Sequence, residues 1–501
     1  MVIARLKRSR NSLLNVSKLP PEILGNIFGW NVTLKGDFDG LEEESHNFLL
    51  VCHNWFEVAS STPELWSFWG NTPKDWARWH RRSGTAPLDL VLDVEEDDGS
   101  FGATLCGVLQ DRAIRDTIRR IHLKARGSKL LSSIISPLTA DPEEFRSTSV
   151  ESLILHDKSG GPVDVSDFLA HYNFPKLQHL KLFNCTFSSW DLITSRTPVL
   201  TTLDLYRCDQ WPSPSPTTSR LLTMLASYPT LQSVSLSWYG DPGGGGGHTS
   251  PRVSLHQLKE LKLGGTPQGV FGLLDRLDHP RHVNSLDINL NSCEARDISQ
   301  VIGPYLRGYL QHRDGFRNGL GLSLSLPYSD SIALHIGDAG GIDFSAPVPA
   351  RMNTFAAITI EFNRQPPEDQ IEKAILDLIA HAPREDIVYF RVYGDPVAMG
   401  DISAQLPYLR GLHLEKMPLT SAFPNSNLNT DIFPSLEYIF LDWVVADRGN
   451  WSPLTTFLDF RVSSGNRLRT LLVKGSHLMS RSLWQSLGDV VQVLARVARK
   501  E

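Results

Sequence analysis

Two regimes of apolar spacing divide the chain. From Val150 onward a pattern of the form L-x-x-L-x-L recurs, beginning Val150-Leu153-Leu155, Leu177-Leu180-Leu182, Leu200-Leu203-Leu205 and Leu231-Val234-Leu236. It continues as Leu258-Leu261-Leu263, Val283-Leu286-Ile288, Phe355-Ile358-Ile360, Ile387-Phe390-Val392, Leu409-Leu412-Leu414, Leu436-Ile439-Leu441 and Leu468-Leu471-Val473. The middle apolar residues follow one another at 22 to 32 residues, except for the 72 between Leu286 and Ile358, where one degenerate unit around Leu320-Leu322-Leu324 is expected. Ile118-Ile121-Leu123 reads as a first, capping unit. The alternating L-x-L end is the signature of a strand with one buried face. A strand with a returning turn or helix cannot bury its own apolar side, so stacked units would share a continuous core and a curved parallel sheet. Helical spacing predicts returning helices over Ser219–Ala226 and Glu368–His381. The stripe Leu483, Leu487, Val490, Leu494 and Val497 predicts a helix closing the last unit over 481–501.

Before residue 80 the spacing is different. Leu19-Pro20-Pro21-Glu22-Ile23-Leu24 opens a helix: proline suits a first turn, Glu22 suits the positive end of the dipole, and Ile23, Leu24, Ile27 and Phe28 form a stripe. Phe48-Leu49-Leu50-Val51-Cys52 then leads to Trp55, Val58 and Ala59 at helical spacing, and Thr62-Pro63 reads as an N-cap with proline behind it. Six of the twelve tryptophans lie in this stretch, which marks it as a compact unit of its own.

Composition narrows the function. The 501 residues carry a net charge of −6, against the positive field that nucleic acid or an acidic membrane surface demands, and no apolar run is long enough to span a bilayer. The five cysteines (Cys52, Cys106, Cys185, Cys208, Cys293) form no C-x-x-C pair, so neither zinc ligation nor a disulfide framework is signalled. Reduced thiols in cytosol or nucleus are the expectation; the basic tail, residues 1–17, also fits a mitochondrial presequence weakly. Asp93 to Gly99 fails as a calcium loop, since Asp98 stands where glycine is needed and Thr104 where the closing glutamate is needed. The run Gly243 to Gly247 lacks the Lys-Ser/Thr of a phosphate loop. No nucleophile elbow or H-E-x-x-H is present, so catalytic residues, metal ligands and cofactors are all expected to be none.

The order L-P-x-E-I-L-x-x-I-F, L-L-V-C-x-x-W and V-A-x-S-T-P-x-L-W resembles an F-box of the form common in mushroom-forming fungi, and Trp79-His80-Arg81-Arg82-Ser83-Gly84 with Ala86-Pro87-Leu88-Asp89-Leu90 resembles the segment that follows it there. The later pattern resembles leucine-rich repeats, with Cys185, Cys208 and Asn291 at the Asn/Cys position. The resemblance implies an α/β solenoid: a helical F-box at 18–70, a connecting segment at 71–110, a leucine-rich-repeat horseshoe at 111–480 and a capping helix at 481–501. It further implies a substrate-recognition subunit of a Skp-cullin-F-box ubiquitin ligase that is not itself an enzyme. Leu19, Pro20, Glu22, Ile23, Leu24, Ile27, Phe28, Leu50, Val51, Cys52 and Trp55 would then bind a Skp-type adaptor, and through it a cullin. Part of that stripe equally fits a small bundle's core. The alternative is a repeat scaffold outside the ligase with a degenerate F-box, to which the acidic insertion at 37–44 points. Strand alternation directs the residues between the template positions to the concave face. Aromatic and Arg anchors there place the target site at Tyr389, Arg391, Tyr393, His413, Glu415, Tyr438, Phe440 and Asp442, with Arg391 and Glu415 able to pair instead.

Overall fold

The computed structural model describes residues 10–11, 14–33, 43–70, 73–94, 107, 111–126, 131–132, 135, 149–158, 162–208, 218–237, 252–278, 283–293, 297–311, 320–328, 331–339, 353–362, 368–394, 399–423, 433–444, 450–474 and 481–497. The protein is of the α/β class and is built on extensive, mostly parallel sheet. It divides into two compact units, Met1–Trp238 and Tyr239–Glu501. The division falls inside the span expected as one array.

In the first unit, α1 (Pro21–Thr33), α2 (His53–Ser60) and the short turn Pro63–Trp66 enclose Leu24, Phe28, Phe48, Val58, Ala59, Leu65 and Trp66. Phe28 stacks on Phe48 at 4.7 Å and meets Trp55 at 5.0 Å. Burying an indole requires a partner for its N–H. Trp66 donates to the Ala59 carbonyl at 2.7 Å, Trp69 to Trp66 at 3.1 Å and Trp76 to Gly70 at 3.0 Å. Thr62 stands at the N-cap of that turn with Pro63 behind it, as expected, though its side chain accepts no capping hydrogen bond and its hydroxyl donates back to the Val58 carbonyl at 2.8 Å. A third helix, α3 (Pro73–Ser83), carries Arg82 over the Trp66 ring at 4.2 Å.

The sheet of this unit runs β1 (Phe68–Trp69), β2 (Leu88–Val94), β3 (Ile118–Ala125), β4 (Ser152–Asp157), β5 (His179–Phe183), β6 (Thr202–Tyr206) and β7 (Ser233–Ser237), each parallel to the next. It therefore starts ahead of residue 111, with β1 at the end of the segment expected as the helical bundle (18–70) and β2 inside the one expected as a connection (71–110). Leu88 to Leu92 and Val94 are all buried, Asp89 and Val91 included, so β2 is covered on both faces.

In the second unit β8 (Glu260–Gly265) pairs in parallel with β9 (Ser285–Cys293). The next strands are β10 (Leu320–Tyr328), β11 (Ser331–Asp338) and β12 (Asn353–Phe362). The degenerate unit expected around Leu320-Leu322-Leu324 forms as β10, parallel to Ile387–Gly394 with Leu322 opposite Phe390 and Leu324 opposite Val392; what the spacing missed is the extra, antiparallel strand β11. β10 and β11 form an antiparallel hairpin, β11 is also antiparallel to β12, and β12 and β10 then pair in parallel with β9 and with β13 (Ile387–Gly394). Only residues 329–330 join β10 to β11, too few for a parallel crossover. The sheet continues in parallel through β14 (Gly411–Glu415), β15 (Tyr438–Asp442), β16 (Thr470–Lys474) and β17 (Val493–Val497). The capping helix expected over 481–501 is corrected too. It spans Arg481–Val490, after which Val493–Val497 adds a strand to the open edge of β16, whose unpaired N–H and C=O groups favour such pairing. The helices predicted at 219–226 and 368–381 form as Thr218–Ala226 and Glu368–His381.

The template positions of β3 to β9 and β13 to β16 are buried, most of them completely, as with Leu180, Leu203, Val234, Ile288, Phe390, Leu414 and Leu471. Left-handed residues end four strands: Asn184, Arg207, Lys416 and Trp443, with φ between 49° and 57°. The chain turns there and buries the following residue: Cys185, Cys208, Met417 and Val444. The Cys185 and Cys208 thiols reach the Leu155 and Leu182 carbonyls at 3.8 and 3.5 Å, the turn-closing use expected of them. Burial pushes the Cys185 thiol pKa well up, away from redox reactivity. Arg461, only 2% exposed, donates to the carbonyls of Phe433 and Leu436 at 2.6 and 2.7 Å and so pins the turn into β15.

Candidate functional site

The residues expected to meet an adaptor separate into two groups. Leu24 and Phe28, expected at the adaptor surface, are buried in the bundle core, and the partly buried Leu19 and Trp55 pack against that core. Cys52 is half-buried. Pro20 and Glu22 are exposed. Ile23 and Ile27 are 45% and 43% exposed, on the side of α1 away from that core, and Leu50 and Val51 are 84% and 55% exposed. Trp30, 69% exposed, extends the α1 stripe by one further turn. Its spacing from Ile23 and Ile27 was the signal that could have found it. Large apolar side chains left exposed at helical spacing on a small bundle are the kind of patch that commonly marks a protein-interaction surface. Much of the acidic insertion, residues 37–42, lies outside the described residues.

The eight residues expected as target anchors do share one face of β13, β14 and β15. Tyr389 sits opposite Gly411 and Tyr438, Arg391 opposite His413 and Phe440, and Tyr393 opposite Glu415 and Asp442. Their expected exposure is corrected. Tyr389, His413, Phe440 and Asp442 are 5–7% exposed, and Arg391, Tyr393, Glu415 and Tyr438 are half-buried. The row is closed by its own contacts. The Tyr389 hydroxyl meets His413 Nδ1 at 3.1 Å, the His413 ring packs edge-on against Phe440 at 4.3 Å, and Arg391 pairs with Glu415. Lys474, one strand further, donates to Asp442 Oδ2 at 2.8 Å, and Lys416 donates to the Tyr393 hydroxyl at 3.0 Å. Burial first, then the charges of Arg391 and Lys474, push the His413 pKa down to about 3, so its imidazole is neutral at physiological pH. Burial likewise pushes the Tyr389 hydroxyl up to about 12.

A scan against protein-family models and a search of curated proteins both return no match to this chain. Among the described residues no helix is long and apolar enough to cross a membrane.

The equivalent face of the first unit is more open on β5 to β7, whereas Asp89 and Val91 on β2 and Ser152 on β4 are buried. Its outward residues run Asp89, Arg120, Ser152, His179, Thr202 and Ser233 in one row and Asp93, Lys124, His156, Phe183 and Tyr206 in another. His156, Phe183 and Tyr206 form a chain of rings at 4.9 and 5.9 Å, with Tyr206 40% exposed and Arg207 over its ring at 5.6 Å. Lys158 and Lys124 hold Asp93 at 2.8 and 3.5 Å, and Arg119 holds Asp89 at 2.9 Å. His122 Nε2 meets the Ser152 hydroxyl at 2.9 Å. Burial, then Arg120, lowers the His122 pKa to about 4, leaving a poor general base beside that hydroxyl.

Proposed function

We propose that the chain is the substrate receptor of a Skp-cullin-F-box ubiquitin ligase, a non-catalytic subunit whose helical bundle binds the adaptor and whose strand units form a leucine-rich-repeat solenoid that recruits a target. The observation that carries this reading is the division of α1 into a buried edge, Leu24 and Phe28, and an exposed apolar edge, Ile23, Ile27 and Trp30, in a bundle that also exposes Leu50 and Val51. The motif order resembling an F-box and the recurrence of buried L-x-L strands support it. Such a receptor acts by holding a target near a charged conjugating enzyme, raising its effective concentration. For the target side, the exposed ring chain His156, Phe183 and Tyr206 with Arg207 has the aromatic and Arg character of interface anchors, which the closed row at Tyr389 to Phe440 offers less of.

Co-purification of the tagged full chain with a Skp-type adaptor and a cullin tests the reading. Ile23→Glu with Ile27→Glu should abolish capture while leaving the circular dichroism spectrum unchanged, since both side chains face water. Absence of adaptor from the wild-type eluate would defeat the ligase reading and favour the scaffold outside the ligase. Capture undiminished in the double variant would remove α1 from the interface.

A further inference from the structure

The closed row of the second unit leaves three buried polar atoms unanswered, Arg391 Nε and one each on His413 and Asp442. His413 is 7% exposed and Asp442 is 6% exposed, yet His413 Nε2 and Asp442 Oδ1 have no hydrogen-bond partner among the described residues. A buried polar atom without a partner forfeits its hydration uncompensated, so those of His413 and Asp442, on neighbouring strands, call for an explanation. Glu415 lies beside them: one coordinating atom from each of His413, Glu415 and Asp442 falls within 4.8 Å of the others. His413 and Glu415 alternate on β14, and Asp442 stands directly opposite Glu415 on β15. Ligands held on neighbouring strands are placed more firmly than ligands on loops.

We propose that His413, Glu415 and Asp442 bind a divalent transition metal of the Zn²⁺ class through His413 Nε2 and one oxygen of each carboxylate. One imidazole and two carboxylates are a donor set for such ions. Bonds of about 2.0–2.2 Å place tetrahedral ligand atoms about 3.4 Å apart, so side-chain rotations of about 1 Å close the site. The Tyr389 hydroxyl at His413 Nδ1 acts as the outer partner that orients a ligating histidine, and Phe440 restricts the ring from its edge. Lys474 and Arg391 occupy the opposite oxygens, Asp442 Oδ2 and Glu415 Oε2, and balance the two carboxylates. Their side chains are 34% and 36% exposed against 9% and 15% for the carboxylates, so the cations can swing into water while the ligands stay. Lys474 is thus a built-in competitor of the metal. The spacing of these residues in sequence conceals the site, because its donors come together only by strand pairing.

The test is titration of the chelator-treated full chain with ZnCl₂ by calorimetry, with circular dichroism as a check of folding. Wild type should take up one equivalent. His413→Ala and Asp442→Asn should weaken uptake at least tenfold, while the exposed control His256→Ala leaves it unchanged. Lys474→Met should tighten it, an outcome that a purely structural ion pair does not produce. If His413→Ala fails to fold, the half-buried Glu415→Gln carries the same expectation. No stoichiometric uptake by wild type and Lys474→Met, or uptake by His413→Ala and Glu415→Gln equal to wild type, would overturn the proposal.

Discussion

Strands β5 and β6 of the first unit and β14 and β15 of the second have the same length, the same parallel register and the same alternation, yet their outward faces differ. On β5 and β6 only the template leucines are buried, and the residues between them are half-buried or exposed. On β14 and β15 nearly every residue is buried. Alternation decides which face a side chain joins. It does not decide whether that face meets water. In the first unit, on β5 and β6, His179, Lys181, Thr202 and Asp204 occupy the outward positions and stay half-buried or exposed. In the second, Tyr389, Phe440 and Leu472 occupy them and exclude water from the polar residues in between. His413 and Asp442 are enclosed as a consequence, and each is left with an unsatisfied atom.

The difference can be broken most sharply at the outward aromatics. Phe440→Ser should cost about 3–5 kcal/mol in urea unfolding, because it opens a cavity and lays a hydroxyl against the His413 ring. Tyr206→Ser, at a position 40% exposed, should cost under about 1 kcal/mol. Equal costs would mean that the two faces are not differently enclosed.

On the shared inner face the units should behave alike. Leu205→Ala and Leu441→Ala, at 1% and 0% exposure, should each cost about 2–5 kcal/mol. A large gap between them in urea unfolding would show that the cores are not equivalent.

The outward histidines of the first unit make a third contrast. Burial is the first cause lowering the pKa of His122, His156 and His179; positive neighbours follow, Arg120 for His122 and His179, and Lys124 for His156. A histidine whose folded pKa lies below its unfolded value of about 6.5 resists protonation only in the folded state, so acid favours unfolding. Stability should be level above pH 6.5 and fall as pH drops toward the His122 value of about 4, by on the order of 2 kcal/mol. His122→Gln should flatten that slope between pH 6.5 and 5, above the carboxylate range. An unchanged slope would locate the acid sensitivity elsewhere.

The smallest expected effect separates two lysines. Lys474→Ala strips a partner from the buried Asp442 and should cost about 1–2 kcal/mol. Lys181→Ala loosens a pair at 3.9 Å on the open face and should cost about 0.5 kcal/mol or less. Thermal unfolding of the two variants side by side measures the difference.

Much of the fold was readable in advance where one residue type does one physical job. Apolar residues at L-x-x-L-x-L spacing marked the strands because alternation alone puts Leu180 and Leu182, or Leu412 and Leu414, on one side of the pleat. Helical spacing placed 219–226 and 368–381 within a residue. The reading failed where a partner elsewhere in the chain decides. Leu494 and Val497 continue a helical stripe, but the open edge of β16 draws them into a strand. Leu320-Leu322-Leu324 does join the parallel array beside β13, but the short link after it folds β11 back as an antiparallel strand that no repeat spacing announces.

The same division holds for the candidate sites. Sequence by itself determined that Ile23, Leu24, Ile27 and Phe28 share a helix, and that Arg391, His413 and Phe440 hold the same position in successive strand units, because both follow from the spacing of the apolar residues. Only the tertiary structure decided that Leu24 and Phe28 face Phe48 and Val58 while Ile23 and Ile27 face water, and that His413, Glu415 and Asp442 converge. Exposure and convergence depend on what packs against a face from distant parts of the chain, and periodicity carries no record of that neighbour.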